Sequence, residues 1–198
     1  MFNPRLTMRA LLVVSVPLTL GSQYFKLDAQ EPRARISEEI RIIETYPFSD
    51  PNPVPILASD DRLYPYHRFE GYAHRSEAVE WKVVHLENEW IELWVLPEAG
   101  GKVWGARVKE TGHEFIYRNE VIKFRNIALR GPWTSGGIEF NFGVIGHTPS
   151  TATPVDYRTR EHDDGSVSVV VGAMDLPSRT HWRVEVRLPP DRAYFETN

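Results

Sequence analysis

The sequence predicts an all-β fold, an antiparallel β-sandwich, and three observations carry that prediction. From Val79 onward apolar and polar residues alternate with period two: Ile91, Leu93 and Val95 point one way, while Trp90, Glu92 and Trp94 point the other. Short runs of this kind are separated by tight-turn signals. No segment after Ala29 makes a convincing long amphipathic helix.

Taken in order, the chain opens with Arg5 and Arg9, then an apolar run from Ala10 to Gly21, then a short polar stretch ending Leu27-Asp28-Ala29. That is the layout of an export leader, and the apolar run is too short to cross a bilayer. The expected divisions are a signal peptide over 1–29, an extended strap with a proline-rich linker over 30–66, and a β-sandwich over 67–198. Ala34 to Tyr46 suits either a helix face through Ile36, Ile40 and Ile43 or a strand through Ile36, Glu38, Ile40 and Ile42. Thr45, Tyr46 and the prolines that follow favour the extended form. Pro47, Pro51, Pro53 and Pro55 then hold the chain in a polyproline-like path as far as Tyr64-Pro65-Tyr66.

Glu110-Thr111-Gly112 reads as the turn between strands at Lys102 to Lys109 and Glu114 to Tyr117, and Asp163-Asp164-Gly165 as the turn between Asp156 to Glu161 and Ser166 to Met174. A last alternation sets Trp182, Val184, Val186 and Leu188 against Arg183, Glu185 and Arg187. Arg192 to Asn198 reads as a strand in progress, so the sandwich is expected to be incomplete at its C-terminal end.

Composition limits the partners. The chain holds 23 Lys+Arg against 27 Asp+Glu, and without Arg5, Arg9, Lys26 and Asp28 the balance is 20 against 26, about −6, which does not suggest nucleic acid. An exported chain with 0 Cys takes its stability from packing, and the 12% aromatic content supports a core able to supply it. No metal-ligand spacing, nucleophile elbow or catalytic cysteine is found, and Gly100-Gly101-Lys102 lacks the helix and Ser/Thr of a phosphate loop, so it reads as a tight turn. No cofactor is expected, and no membrane span once the leader is removed.

The chemistry gathers in Leu129 to Asp156, LRGPWTSGGIEFNFGVIGHTPSTATPVD, where five glycines and three prolines punctuate the run. Such loops are held in set conformations and commonly carry binding side chains. Glu139 and Asn141 alternate with Ile138 and Phe140, so they either place a carboxylate and an amide side by side toward a ligand or form a solvated strand face. His147, pinned between Gly146 and Pro149, is either a general acid or base or the anchor of a turn. Arg130 and Trp133 pair a guanidinium with an indole, which suits carboxylates and sugar rings, although tryptophan also serves a core. Asp156 either orients Arg130 or His147 or simply starts a strand. His67, His74, His85, His113, His162 and His181 show no ligand spacing and read as surface or core residues.

These residues carry a resemblance. Tyr64-Pro65-Tyr66, Phe69-Glu70-Gly71-Tyr72, Glu80 to Val84, Val95 to Trp104, Glu114 to Asn119, and above all Arg130-Gly131-Pro132-Trp133, Gly136 to Glu139, Gly146 to Pro149 and Pro154 to Tyr157 resemble a bacterial domain of unknown function, DUF5107. That family is placed in the galactose-mutarotase-like β-supersandwich group and is often attached to tetratricopeptide repeats. The resemblance implies a supersandwich with a carbohydrate-binding face, and it hands over no catalytic pair. In mutarotases the general base is a glutamate contributed late in the fold, beyond the region this chain covers.

The expected function is an exported, periplasmic or secreted, carbohydrate-recognising domain of a glycoside hydrolase or sugar epimerase-like enzyme. Glu139 and His147 are its catalytic candidates, and Arg130, Trp133, Asn141 and Asp156 its substrate-binding candidates. The alternative is a noncatalytic glycan-binding or scaffolding domain of a tetratricopeptide-repeat protein, and a third reading is a structural sandwich with no ligand.

Overall fold

Among the described residues the β-rich pattern becomes eleven strands in two sheets. The structure, a computed structural model, describes residues 33–48, 73–127, 131–143, 147, 149–176 and 178–198, all within the unit Glu31–Asn198. The expected leader, most of the proline-rich linker and Arg130 lie outside the described residues.

The strands are β1 (Arg35–Tyr46), β2 (Glu77–Glu87), β3 (Ile91–Leu96), β4 (Lys102–Val108), β5 (Glu114–Ile116), β6 (Ile122–Ile127), β7 (Gly131–Thr134), β8 (Asp156–Glu161), β9 (Val167–Asp175), β10 (Thr180–Leu188) and β11 (Glu196–Thr197). Single 3₁₀ turns occupy Pro97–Ala99 and Pro149–Ala152. One sheet has seven strands in the order β5-β4-β3-β2-β1-β6-β7, and the other has four in the order β11-β10-β9-β8. Pairing is antiparallel except between β1 and β6, which meet in parallel at Thr45 and Tyr46.

β1 comes from the segment that the sequence assigns to a strap. It is an integral strand of the large sheet, registered against β2 from Arg35 opposite Glu87 to Thr45 opposite Glu77. The alternation of Ile36 with Ser37 and Ile43 with Glu44 lets it present side chains to both faces, and Trp81 in β2 donates its indole N–H to the Thr45 hydroxyl at 2.9 Å.

Two apolar layers follow from the period of two. Val84, Leu86, Ile91, Leu93 and Val95 meet Val167, Val169, Val171, Val186 and Leu188 between the sheets. On the opposite face of the large sheet, Ile43, Trp81, Val83, Trp94, Leu96, Trp104, Ile122 and Phe124 form a second cluster. β3 is therefore covered on both sides, and all six of its residues are buried. Each leucine or valine fully withdrawn from water contributes about 2 kcal/mol to this arrangement.

Local polar contacts close the turns. The Asn88 carboxamide oxygen accepts from the N–H groups of Trp90 and Ile91, while its amino group donates to the carbonyls of Pro189 and Arg192, tying the β2–β3 hairpin to the end of β10. In the β8–β9 hairpin, Asp164 caps the turn through the N–H and hydroxyl of Ser166, and Gly165 takes φ +79°. That is the turn read from Asp163-Asp164-Gly165.

Candidate functional site

The second face of the large sheet carries polar groups among its aromatics, and Lys102 is the key to them. It opens β4 opposite Leu96 and so shares the face of Leu96, Trp94 and Trp104. Its side chain is only 2% exposed. The ammonium donates to the Thr134 carbonyl at 3.0 Å and to the Thr134 hydroxyl at 2.8 Å, at the end of β7. Burial pushes the Lys102 ammonium down to about 8, against the pull of the Glu139 carboxylate, whose negative charge favours the protonated form.

Glu139 reaches this place because the backbone ahead of it turns sharply. Gly136 and Gly137 have φ +81° and +73°, a region that side chains with a Cβ rarely adopt. At Gly137 a Cβ would stand 2.2 Å from the Val103 carbonyl oxygen and 3.2 Å from Cε of Lys102, so only glycine fits over the lysine stem. The Gly137 N–H donates to the Tyr117 carbonyl at 2.7 Å, and Ile138 and Val103 exchange both backbone bonds. Ile138 and Phe140 pack on the core between the sheets, as their spacing predicts, and Glu139 takes the opposite direction.

Glu139 Oε1 lies 2.6 Å from Nδ1 of His147. An ionised carboxylate can only accept, so Nδ1 donates, and in the neutral imidazole that tautomer leaves the lone pair on Nε2. Of the two side chains His147 is the more open, 26% exposed against 16% for Glu139. Trp133 in β7 stacks on the imidazole with ring centroids 5.8 Å apart and planes at 24°. Its indole N–H is buried with no hydrogen-bond partner among the described residues. The strand that holds Trp133 is fixed from behind by Thr151, whose hydroxyl donates to the Pro132 carbonyl at 2.6 Å, and the Pro149–Ala152 turn is docked on Gly100, which donates to the Thr153 carbonyl.

Three of the six sequence candidates thus meet: Glu139, His147 and Trp133. Asn141 is exposed, and among the described residues no hydrogen bond joins it to Glu139, which bonds His147. Asp156 is an exposed strand-start residue, opposite Gly172 in the β8–β9 ladder. Arg130 lies outside the described residues. Lys102 and Thr134 complete the group and were missed. The available signal was a lysine set among Gly101, Val103 and Trp104 at the head of a strand, where a solvated charge is out of place.

The arrangement can hold a base, His147 Nε2, oriented by a carboxylate that a buried cation backs electrostatically, with a tryptophan alongside. Among the described residues no cluster of His, Cys, Asp and Glu has the makings of a metal site, and no helix is long and apolar enough to cross a membrane.

Comparison with known proteins places this site in context. Residues 59–198 match the model of a family described as a domain of unknown function (DUF5107). The crystal structure of a tetratricopeptide-repeat (TPR) domain containing protein from Parabacteroides distasonis ATCC 8503 is similar, with a TM-score of 0.70 and 28% identity, the match covering 83% of this chain and 28% of that one.

Proposed function

The chain belongs to the DUF5107 family of domains of unknown function, and from the site it carries we propose that it is a carbohydrate-recognising domain with acid–base chemistry of the sugar epimerase or glycoside hydrolase kind. The observation that carries the reading is the 2.6 Å bond between Glu139 and Nδ1 of His147, made beside Trp133. An indole next to a base suits a sugar, because the ring stacks on apolar C–H faces while the base reaches a hydroxyl. Within this class the carboxylate–imidazole pair favours epimerase-like proton transfer, since glycoside hydrolysis generally uses two carboxyl groups at a set separation. His147 is the group that would touch the sugar, and Glu139 orients it.

A second reading is a noncatalytic glycan-binding or scaffolding domain in a TPR protein. Its support is the similar protein from Parabacteroides distasonis, which is described as TPR-domain containing and of which this chain matches 28%. We also take residues 1–29 as an export leader on their layout, which N-terminal sequencing of the mature protein would check.

The deciding experiment is a glycan-array and saturation-transfer screen of the full chain beside Glu139→Gln and Trp133→Ala, with products read by NMR. Binding by the parent, a product that disappears in Glu139→Gln and binding lost in Trp133→Ala establish the enzyme. Binding without product, kept in Glu139→Gln and lost in Trp133→Ala, establishes the recognition domain. No binding to any glycan overturns the carbohydrate reading in both forms and leaves only the scaffolding role.

A further inference from the structure

The sheet face that holds Lys102 continues into a second polar cluster, centred on Trp94. Trp94 is 2% exposed, and three guanidinium groups converge on its ring. Arg118 stands 4.6 Å from the ring centroid, Arg41 5.2 Å and Arg107 5.5 Å, and Arg118 also lies 5.0 Å from the ring of Trp104. They arrive from β1, from β4 and from the segment after β5, so the convergence is a product of the fold. It is also built into the backbone: Gly105 faces Trp94 in register, and a Cβ there would stand 3.0 Å from Cβ of Arg118, so the glycine leaves the space that the arginine stem fills.

Three cations around one ring repel one another, and each is steadied by one carboxylate. Arg41 pairs with Glu39, Arg107 Nε with Glu92 at 2.5 Å, and Arg118 Nη2 with Glu114 at 2.7 Å. Arg107 and Arg118 each donate to their carboxylate through one nitrogen, while Arg41 and Glu39 are in ion-pair contact. With five N–H donors per arginine, most of the donor capacity of the cluster is left for another acceptor. The three side chains are 29%, 43% and 21% exposed in the order Arg41, Arg107, Arg118, so solvent reaches them. The Trp94 indole N–H is buried without a partner among the described residues, a further donor in the same place. In a chain of net negative charge, arginines concentrated in one spot serve local recognition rather than general attraction of anions.

The cluster adjoins the Glu139 site. Gly137 bonds the Tyr117 carbonyl, and a Cβ on Gly136 would lie 3.5 Å from Cα of Arg118. Lys102 and Trp104 are near neighbours on β4, and Arg118 stacks on the second of them.

We propose that Arg41, Arg107 and Arg118 form an oxyanion-recognising subsite of the candidate sugar site, so that its ligand is an acidic saccharide, a sugar ring bearing a carboxylate or sulfate. The inference rests on the carbohydrate reading above. A planar carboxylate matches the paired N–H groups of arginine.

The test is calorimetric titration of the full chain with D-glucuronate, glucose 6-sulfate, D-glucose and inorganic sulfate, repeated on Arg118→Met and Arg41→Met. One or both acidic sugars bind at least about tenfold more tightly than glucose, and in each variant that ratio of acidic-sugar to glucose affinity falls to near one. Whether glucuronate or glucose 6-sulfate leads distinguishes carboxylate from sulfate. Equal binding of glucose and both acidic sugars overturns the subsite while the carbohydrate reading stands. Arginine-dependent binding of inorganic sulfate with no sugar bound overturns both. Should Arg118→Met fail to fold, Arg118→Lys keeps the charge and loses the fork, and an unchanged preference in both it and Arg41→Met overturns the proposal.

Discussion

Replacing Lys102 with methionine tests whether the buried cation under the Glu139 loop is held at a free-energy cost. Folding leaves Lys102 2% exposed and lowers its pKa from 10.5 to about 8. The folded protein therefore releases this proton at a lower pH than the unfolded chain does. Between those two values the unfolded chain binds more protons, so stability rises with pH, and the full penalty of the buried charge is felt below about 8. Linkage with these two values gives a rise of about 2 kcal/mol between pH 7 and roughly pH 9.5 from this one group. Methionine has similar length and no proton to lose, so it removes the term, and its loss of the two Thr134 bonds does not depend on pH. Urea unfolding of both proteins at the two pH values measures the effect, since other titrating groups are common to both and largely cancel in the difference. The expected result is a parent-minus-variant stability that climbs by about 2 kcal/mol across the interval. Parallel pH profiles for the two proteins would refute the reasoning and mean that Lys102 is solvated.

Two further predictions concern the frame around the site. Gly137→Ala forces a Cβ to 2.2 Å from the Val103 carbonyl oxygen, whereas Gly112→Ala, at the nearly equal φ of +69°, meets open space. Denaturant midpoints are expected to show a loss of about 1 kcal/mol for Gly112→Ala and about 3 kcal/mol or more for Gly137→Ala, and equal losses would remove the steric argument for the Glu139 turn. Glu92, 8% exposed, accepts from Arg107 Nε at 2.5 Å and lies 2.9 Å from His85 Nε2, so Glu92→Ala leaves a guanidinium and an imidazole without their shared acceptor. Because Arg107 is 43% exposed and water can take over its guanidinium, a loss of about 1–2 kcal/mol by urea unfolding is expected, and a loss within about 0.5 kcal/mol would mean that the pair is solvent-screened.

Local pattern and long-range assembly divide what the sequence disclosed. The β4–β5 and β8–β9 turns were legible because Thr111-Gly112 and Asp164-Gly165 state their geometry within a few residues. Glu139, His147 and Trp133 were legible one at a time, since glycine and proline mark the loop that carries them. Their bond and stacking were not, because these depend on how the loop settles against β4. The parallel meeting of β1 with β6 joins Thr45 to Ile122, far apart in sequence, and nothing local encodes it. Lys102 looked like part of a turn because Gly100-Gly101 precede it. The arginine cluster has no sequence signature at all: Arg41, Trp94, Arg107 and Arg118 come from four separate segments.

One irregularity in β4 explains how the two polar groups come to share a face. In a regular strand, residues an odd number apart point to opposite sides, so Lys102 and Arg107 should be divided by the sheet. The ladder with β3 instead jumps: Trp94 opposes Gly105 while Val95 opposes Val103, so Trp104 is an extra residue in a bulge. The added residue reverses the phase of the remainder of the strand. Val103 and Ala106, also an odd number apart, accordingly both enter the core between the sheets. Lys102 and Arg107 accordingly both face the other way, and Glu92, opposite Arg107 in the ladder, can take its guanidinium. Gly105 sits within the same bulge, where its lack of a side chain admits Arg118 beside Trp94. Bulges recur where a strand must re-aim side chains. Here a single inserted tryptophan keeps the apolar register of the core and brings Arg107 onto the face of the buried Lys102, where Arg41 and Arg118 join it from other segments.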